Sequence, residues 1–282
     1  MDVEKMKQDI TSKIQNYFCK NNIQFDGNSF EDYIQEWMDI CDKRIIAKKR
    51  KVIFSKELQN KIDNNLIDDE TKRLIEFFKS KFENGENISP YLSKNIKNAT
   101  SIDYLLTIWR IHHLHLIEEL DGEMSKRSDK YILFVINQDN VYFLDQTKHL
   151  SGSEFASRYL LEILANNNWL HFVSIFESPE VISTNCEITS DEAMYKLWKS
   201  NINSCVFKIG NAFYTNINGL TMAGTSLQNQ LHICNLNKAL YSASQSNEMV
   251  YSRTELDSEI LSLTIYCNRD GKEVKWITIE GD

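Results

Sequence analysis

The chain holds 282 residues, 42% hydrophobic and 26% charged, with a net charge of −8 at neutral pH. That balance supports a packed core and about two domains, and no stretch is long and apolar enough to span a bilayer. An acidic total weighs against a dedicated nucleic-acid binder, whose affinity rests mostly on phosphate contacts.

The N-terminal MDVEKMKQDITSKI is charged and has no apolar segment of the secretory type. The cysteines Cys19, Cys41, Cys186, Cys205, Cys234 and Cys267 are isolated, with no C-x-x-C pair. They read as free thiols, and a cytoplasmic location is expected.

Residues 2–21 place Val3, Met6, Ile10, Ile14, Tyr17 and Phe18 at helical spacing. Residues 29–47 repeat the pattern behind Ser29 or Asp26 as a cap. KRIIAKKRK follows, with Lys43, Arg44, Lys48, Lys49, Arg50 and Lys51 and no acidic residue. It suits either a solvated face or a patch that contacts phosphates.

Val52 to Phe54 is a short strand, and Ser55 caps a helix carrying Leu58 and Ile62. Asp68 or Asp69 opens a longer helix that Gly85 stops. From Asp103 the pattern turns β. WRIHHLHL (109–116) is followed by YILFVI and VYFLD, joined through Asn137-Gln138-Asp139-Asn140 as a hairpin. A helix over 153–166 comes next. Then come a hairpin at Gly210-Asn211, a helix from Leu227 to Leu240, and a final hairpin at Asp270-Gly271. The expected class is α+β, divided into a helical N-terminal extension (1–49), a central α+β domain (50–175) and a C-terminal α+β module (176–282).

WRIHHLHL carries the densest chemistry. Trp109 and Ile111 differ in parity from Leu114 and Leu116, so a strand through all eight residues requires a β-bulge at His112-His113. The four apolar residues then share the core face. Arg110, His115 and one of His112 or His113 share the other. Metal-free cleavage of a nucleic acid fits these residue types, with Arg110 and Arg127 on phosphate and His113, His115 and His149 exchanging protons. A zinc site from His113, His115 and His149 is a second reading. Arg110 to His115 also matches the R-φ-x-x-x-H spacing of HEPN nucleases, which needs a helix. A plain structural strand is the fourth.

Over residues 50–149 the element order is strand (KVIFS), two helices, WRIHHLHL, YILFVI, VYFLD and a trailing His149. This resembles the RelE/ParE-like toxins, a superfamily of endoribonucleases and gyrase poisons. The resemblance implies a RelE-like antiparallel sheet with two helices, and metal-independent endoribonuclease activity without a cofactor. It also implies RNA as partner, in a ribosome-associated setting or free, and a protein antitoxin or regulator, as in toxin-antitoxin or antiviral defence systems. The residues it assigns are Arg110, His113, His115, Arg127 and His149. A non-catalytic partner- or nucleotide-binding module is the alternative. GLTMAGTS leads into a helix, where Gly224, Thr225 and Ser226 suit either an anion or an ordinary cap.

Overall fold

The computed structural model describes residues 2–126, 128–148, 152–178, 190–203, 206–245 and 249–280. In chain order these form α1 (Val3–Lys20), α2 (Phe30–Lys43), β1 (Lys51–Phe54), α3 (Lys56–Asp63), α4 (Asp69–Asn84) and α5 (Tyr104–Trp109). Next come β2 (His112–His115), β3 (Leu120–Asp121), β4 (Met124–Ser125), β5 (Lys130–Asn137), β6 (Asn140–Lys148), α6 (Arg158–Asn166), β7 (Ile175–Glu177) and α7 (Asp191–Lys199). The chain ends with β8 (Val206–Ile209), β9 (Ala212–Asn216), α8 (Leu227–Gln245), β10 (Met249–Asp257), β11 (Ser262–Arg269) and β12 (Lys272–Glu280). The class is α+β.

Two compact units result. One joins residues 1–46, 94–101 and 227–282; the other joins 47–93 and 102–226. This division corrects the linear one, because the C-terminal third is shared between the units. α1 and α2 each have an apolar stripe that must be covered. Its cover comes from Ile233, Leu236 and Leu240 of α8 and Leu263, Ile265 and Cys267 of β11.

In the first unit Ser29 caps α2 in a capping box with Asp32. Glu36 on α2 is buried. One of its carboxylate oxygens accepts the Asp26 N–H at 2.9 Å and the other has no partner. Burial pushes its pKa from 4.5 up to about 7, and burial likewise lifts Asp39 to about 6. For a carboxyl whose folded pKa is raised, the stabilisation is complete below the unfolded value. It is lost as pH rises through the folded value. The Glu36 contribution therefore falls between about pH 4.5 and about pH 7. Glu36→Gln should melt about 3 °C or more above the native chain at pH 8 and close to it at pH 4.5; thermal melts across that range check this.

The second unit is built on a four-stranded sheet in the order β1-β6-β5-β2. β5 runs antiparallel to both of its neighbours, β2 and β6, while β1 runs parallel to β6. The sheet is thus mixed, which corrects the wholly antiparallel expectation. The helical crossover from β1 returns the chain to the same end of the sheet, so β2 repeats the direction of β1. Two reversals later β6 does so again. Phe82 of α4 packs on one face, edge-on to Phe134 and Phe143 with centroids 5.5 and 5.9 Å away. The other face presents Leu133, Val135, Tyr142 and Leu144 to Leu160, Leu161, Ile163 and Leu164 of α6 and to Leu105, Ile108 and Trp109 of α5.

Helix 153–166 is observed in two pieces, a 3₁₀ turn (Gly152–Ala156) and α6, broken at Ser157 in an extended conformation. The hairpins at 137–140, 210–211 and 270–271 form as expected. Among the described residues no helix is long and apolar enough to cross a membrane.

Candidate functional site

WRIHHLHL is not one strand. Its first residue closes α5, a six-residue helix capped by Asp103, whose Oδ1 accepts the Leu106 N–H at 3.1 Å. Arg110 ends that helix in the left-handed conformation at φ 53°. Only His112 to His115 pair with β5, as His112 with Phe134, His113 with Leu133, Leu114 with Ile132 and His115 with Tyr131, in unbroken register. The expected bulge at His112-His113 is therefore absent, and the parity break comes from a helix-to-strand junction. The irregularity lies one strand over, where β5 and β6 slip between Leu133 and Phe134. Trp109, Ile111, Leu114 and Leu116 are all buried, as the apolar pattern required.

Unbroken alternation sorts the three histidines. His112 shares a face with Leu114, and its ring stacks on Phe134 at 5.3 Å and 18°. Burial, assisted by the charges of Arg110, His113 and Arg50, pushes its pKa down to about 3. That shift keeps it neutral at physiological pH. Arg110 belongs to the surroundings of His112. His113 and His115 share the opposite face, about 6.6 Å apart along the strand.

Tyr131 fills the space beside both, with its centroid 5.6 Å from His113 and 4.6 Å from His115. The Nδ1 of His115 lies 3.4 Å from the Ser128 N–H. The Nδ1 of His113 is sealed from solvent without a hydrogen-bond partner, and Asp103 Oδ2 stands 3.8 Å away. Arg127 and His149 lie outside the described residues.

Across the same face, His113, Leu133 and Asp145 form one row and His115, Tyr131 and Thr147 the next. Asp145 is buried, and Lys61 of α3 donates to both of its oxygens at 2.6 and 2.8 Å. Burial raises the Asp145 carboxyl although Lys61 opposes the shift. This pair borders a cleft of about 380 Å³ that also meets Thr147, Glu154, Tyr159 and Glu192. Neither Asp103 nor the Lys61–Asp145 pair stands out in the sequence. The signal for Asp103 was its place three residues before Leu106, an N-cap spacing. The Lys61–Asp145 contact spans 84 residues and left no local trace.

The basic stretch separates by role. Lys43 is buried, and its Nζ donates to the Asn98 and Ser101 carbonyls at 2.8 and 2.6 Å, which ties residues 94–101 to α2. Arg44 donates to the Tyr17 hydroxyl. Arg50 is buried, and its backbone N–H donates to Phe82 O. The burial of Lys43 and Arg50 and the contact of Arg44 with Tyr17 correct the expectation of a single solvated patch. Lys48, Lys49 and Lys51 are exposed, and Lys48 pairs with Asp139 at 2.9 Å.

The Gly224-Thr225-Ser226 loop is likewise closed on itself. The Gly224 N–H donates to Thr221 O, the Thr225 N–H to Thr221 Oγ1, and Ser226 is buried. Those two amide donors are engaged within the loop, which counts against the anion-binding reading. Among the described residues no group of three His, Cys, Asp or Glu could hold a metal ion.

Fold and site together define an α+β protein in which His113, His115 and Tyr131 share with Leu133 one face of a mixed four-stranded sheet. No family model, no curated protein and no solved structure matches the chain.

Proposed function

We propose that this protein is a metal-independent endoribonuclease, a toxin-like or phage-defence effector that cleaves RNA by histidine acid/base chemistry. The observation that supports this most is the sorting of the histidines. Two imidazoles, His113 and His115, share one sheet face beside Tyr131, and a carboxylate stands behind one of them. One imidazole takes the proton of a ribose 2′-hydroxyl, and that oxygen attacks the adjacent phosphorus. The other imidazole, protonated, gives its proton to the departing 5′-oxygen. The products are a 2′,3′-cyclic phosphate and a 5′-hydroxyl, and no metal enters the balance. Arg127 and His149 remain part of the proposal as phosphate-binding and proton-exchanging groups, and Arg110 as a second phosphate-binding cation. Lys48, Lys49 and Lys51 would recruit the RNA backbone, while the acidic remainder of the chain suits a protein antitoxin or regulator.

The test is cleavage of a defined RNA oligonucleotide in the presence of a chelator. Cyclic phosphate ends are expected, and a single 2′-deoxy substitution at the cleavage site should block the cut. Cleavage that requires added metal, or none at all, would overturn the proposal.

The cleft beside Lys61 and Asp145 favours a second reading, a non-catalytic partner- or nucleotide-binding module. Its volume lies in the range of small-ligand sites. Absence of both nuclease activity and cell toxicity on induction would support that reading.

A further inference from the structure

We infer that Asp103 is the positioning carboxylate of His113, so that the two form a dyad in which Nδ1 holds the proton and Nε2 faces the reaction. The inference rests on the nuclease reading for its catalytic part, and on geometry alone for the pairing. His113 Nδ1 is buried without a hydrogen-bond partner, a rare state for a buried polar atom. The carboxylate oxygen at 3.8 Å is Oδ2 of Asp103.

Asp103 is not a floating surface acid. Its Oδ1 is committed to the Leu106 N–H as the cap of α5, which leaves Oδ2 for the imidazole. α5 is anchored in turn. Trp109 packs edge-on against Trp198 at 4.7 Å, and Asn216 donates to the Ile108 carbonyl at 2.8 Å. One side of the imidazole meets the Tyr131 ring and another the Phe155 ring at 6.5 Å, so its swing is limited. Catalytic hydrogen bonds are often long before substrate binds and tighten in the complex. A carboxylate behind a histidine fixes the tautomer and steadies the imidazolium that forms.

Asp103→Asn is the informative change because asparagine caps a helix as well as aspartate does. The variant keeps its Oδ1 on Leu106 but turns an N–H donor toward His113. That donor demands a lone pair at Nδ1 and moves the proton to Nε2, where the base is needed. The kcat for RNA should fall roughly 10²- to 10⁴-fold with KM little changed. Asp103→Ser, which keeps the cap and withdraws the partner, should lose less.

Nitrogen-15 spectra of the imidazole, which need no activity, should show Nδ1–H in the native chain and Nε2–H in Asp103→Asn. An unchanged tautomer together with unchanged kcat overturns the dyad. A tautomer switch in a chain without nuclease activity upholds the dyad and defeats the nuclease reading instead.

Discussion

His113→Ala and His115→Ala are each expected to lower RNA cleavage roughly 10²- to 10⁴-fold while moving the unfolding free energy by no more than about 1 kcal/mol. Both lie on the edge strand β2, and each keeps some solvent exposure. His112→Ala should do the reverse. Its ring is stacked on Phe134 and kept neutral by burial, so its loss costs about 1 to 2 kcal/mol of stability and touches cleavage only through the fold. Three neighbouring histidines thus separate into two classes by a single strand alternation. Urea melts run beside the cleavage assay decide the matter. Equal losses of activity from all three, or a large destabilisation from His115→Ala, would remove the assignment of this face as the site.

The second large effect lies in the core behind the site. Trp109→Ala should destabilise the unit that contains it by roughly 3 to 5 kcal/mol. Trp109 and Trp198 are both fully buried and meet edge to face, so truncation of Trp109 leaves an indole-sized space in a packed core. Because Trp109 closes α5, the same change should release Asp103 and Arg110 from their places at the two ends of that helix. Urea denaturation followed by circular dichroism checks the first expectation. Loss of the His113 tautomer preference at low urea, ahead of global unfolding, checks the second.

Much of the local structure was legible from residue order alone. Ser55 caps α3 as the sequence predicts, Ser29 and Asp68 cap α2 and α4 from the two candidates each offered, and Gly85 stops α4 at φ 76°. These are short-range hydrogen-bond and backbone preferences, felt within about one helical turn. The hairpin turns were legible for the same reason. Residues 104–109 were misread because six residues give fewer than two turns of periodicity, and their β-branched and aromatic members resemble strand. With strand over those residues, only a bulge reconciles the parity of Trp109 and Ile111 with that of Leu114 and Leu116.

By itself the sequence determined the α+β class, the helix caps, the turns, and which apolar residues of WRIHHLHL go inside. Each depends on spacing within a few residues. Only the tertiary structure decided that His113 and not His112 joins His115, because that choice turns on where the strand begins. The same holds for Lys43, which looked like part of a basic surface and instead binds two carbonyls 55 and 58 residues away. It holds too for residues 227–282, which complete the core of the N-terminal helices. An amphipathic face announces that it needs a cover, and chain order does not say which distant segment will supply it.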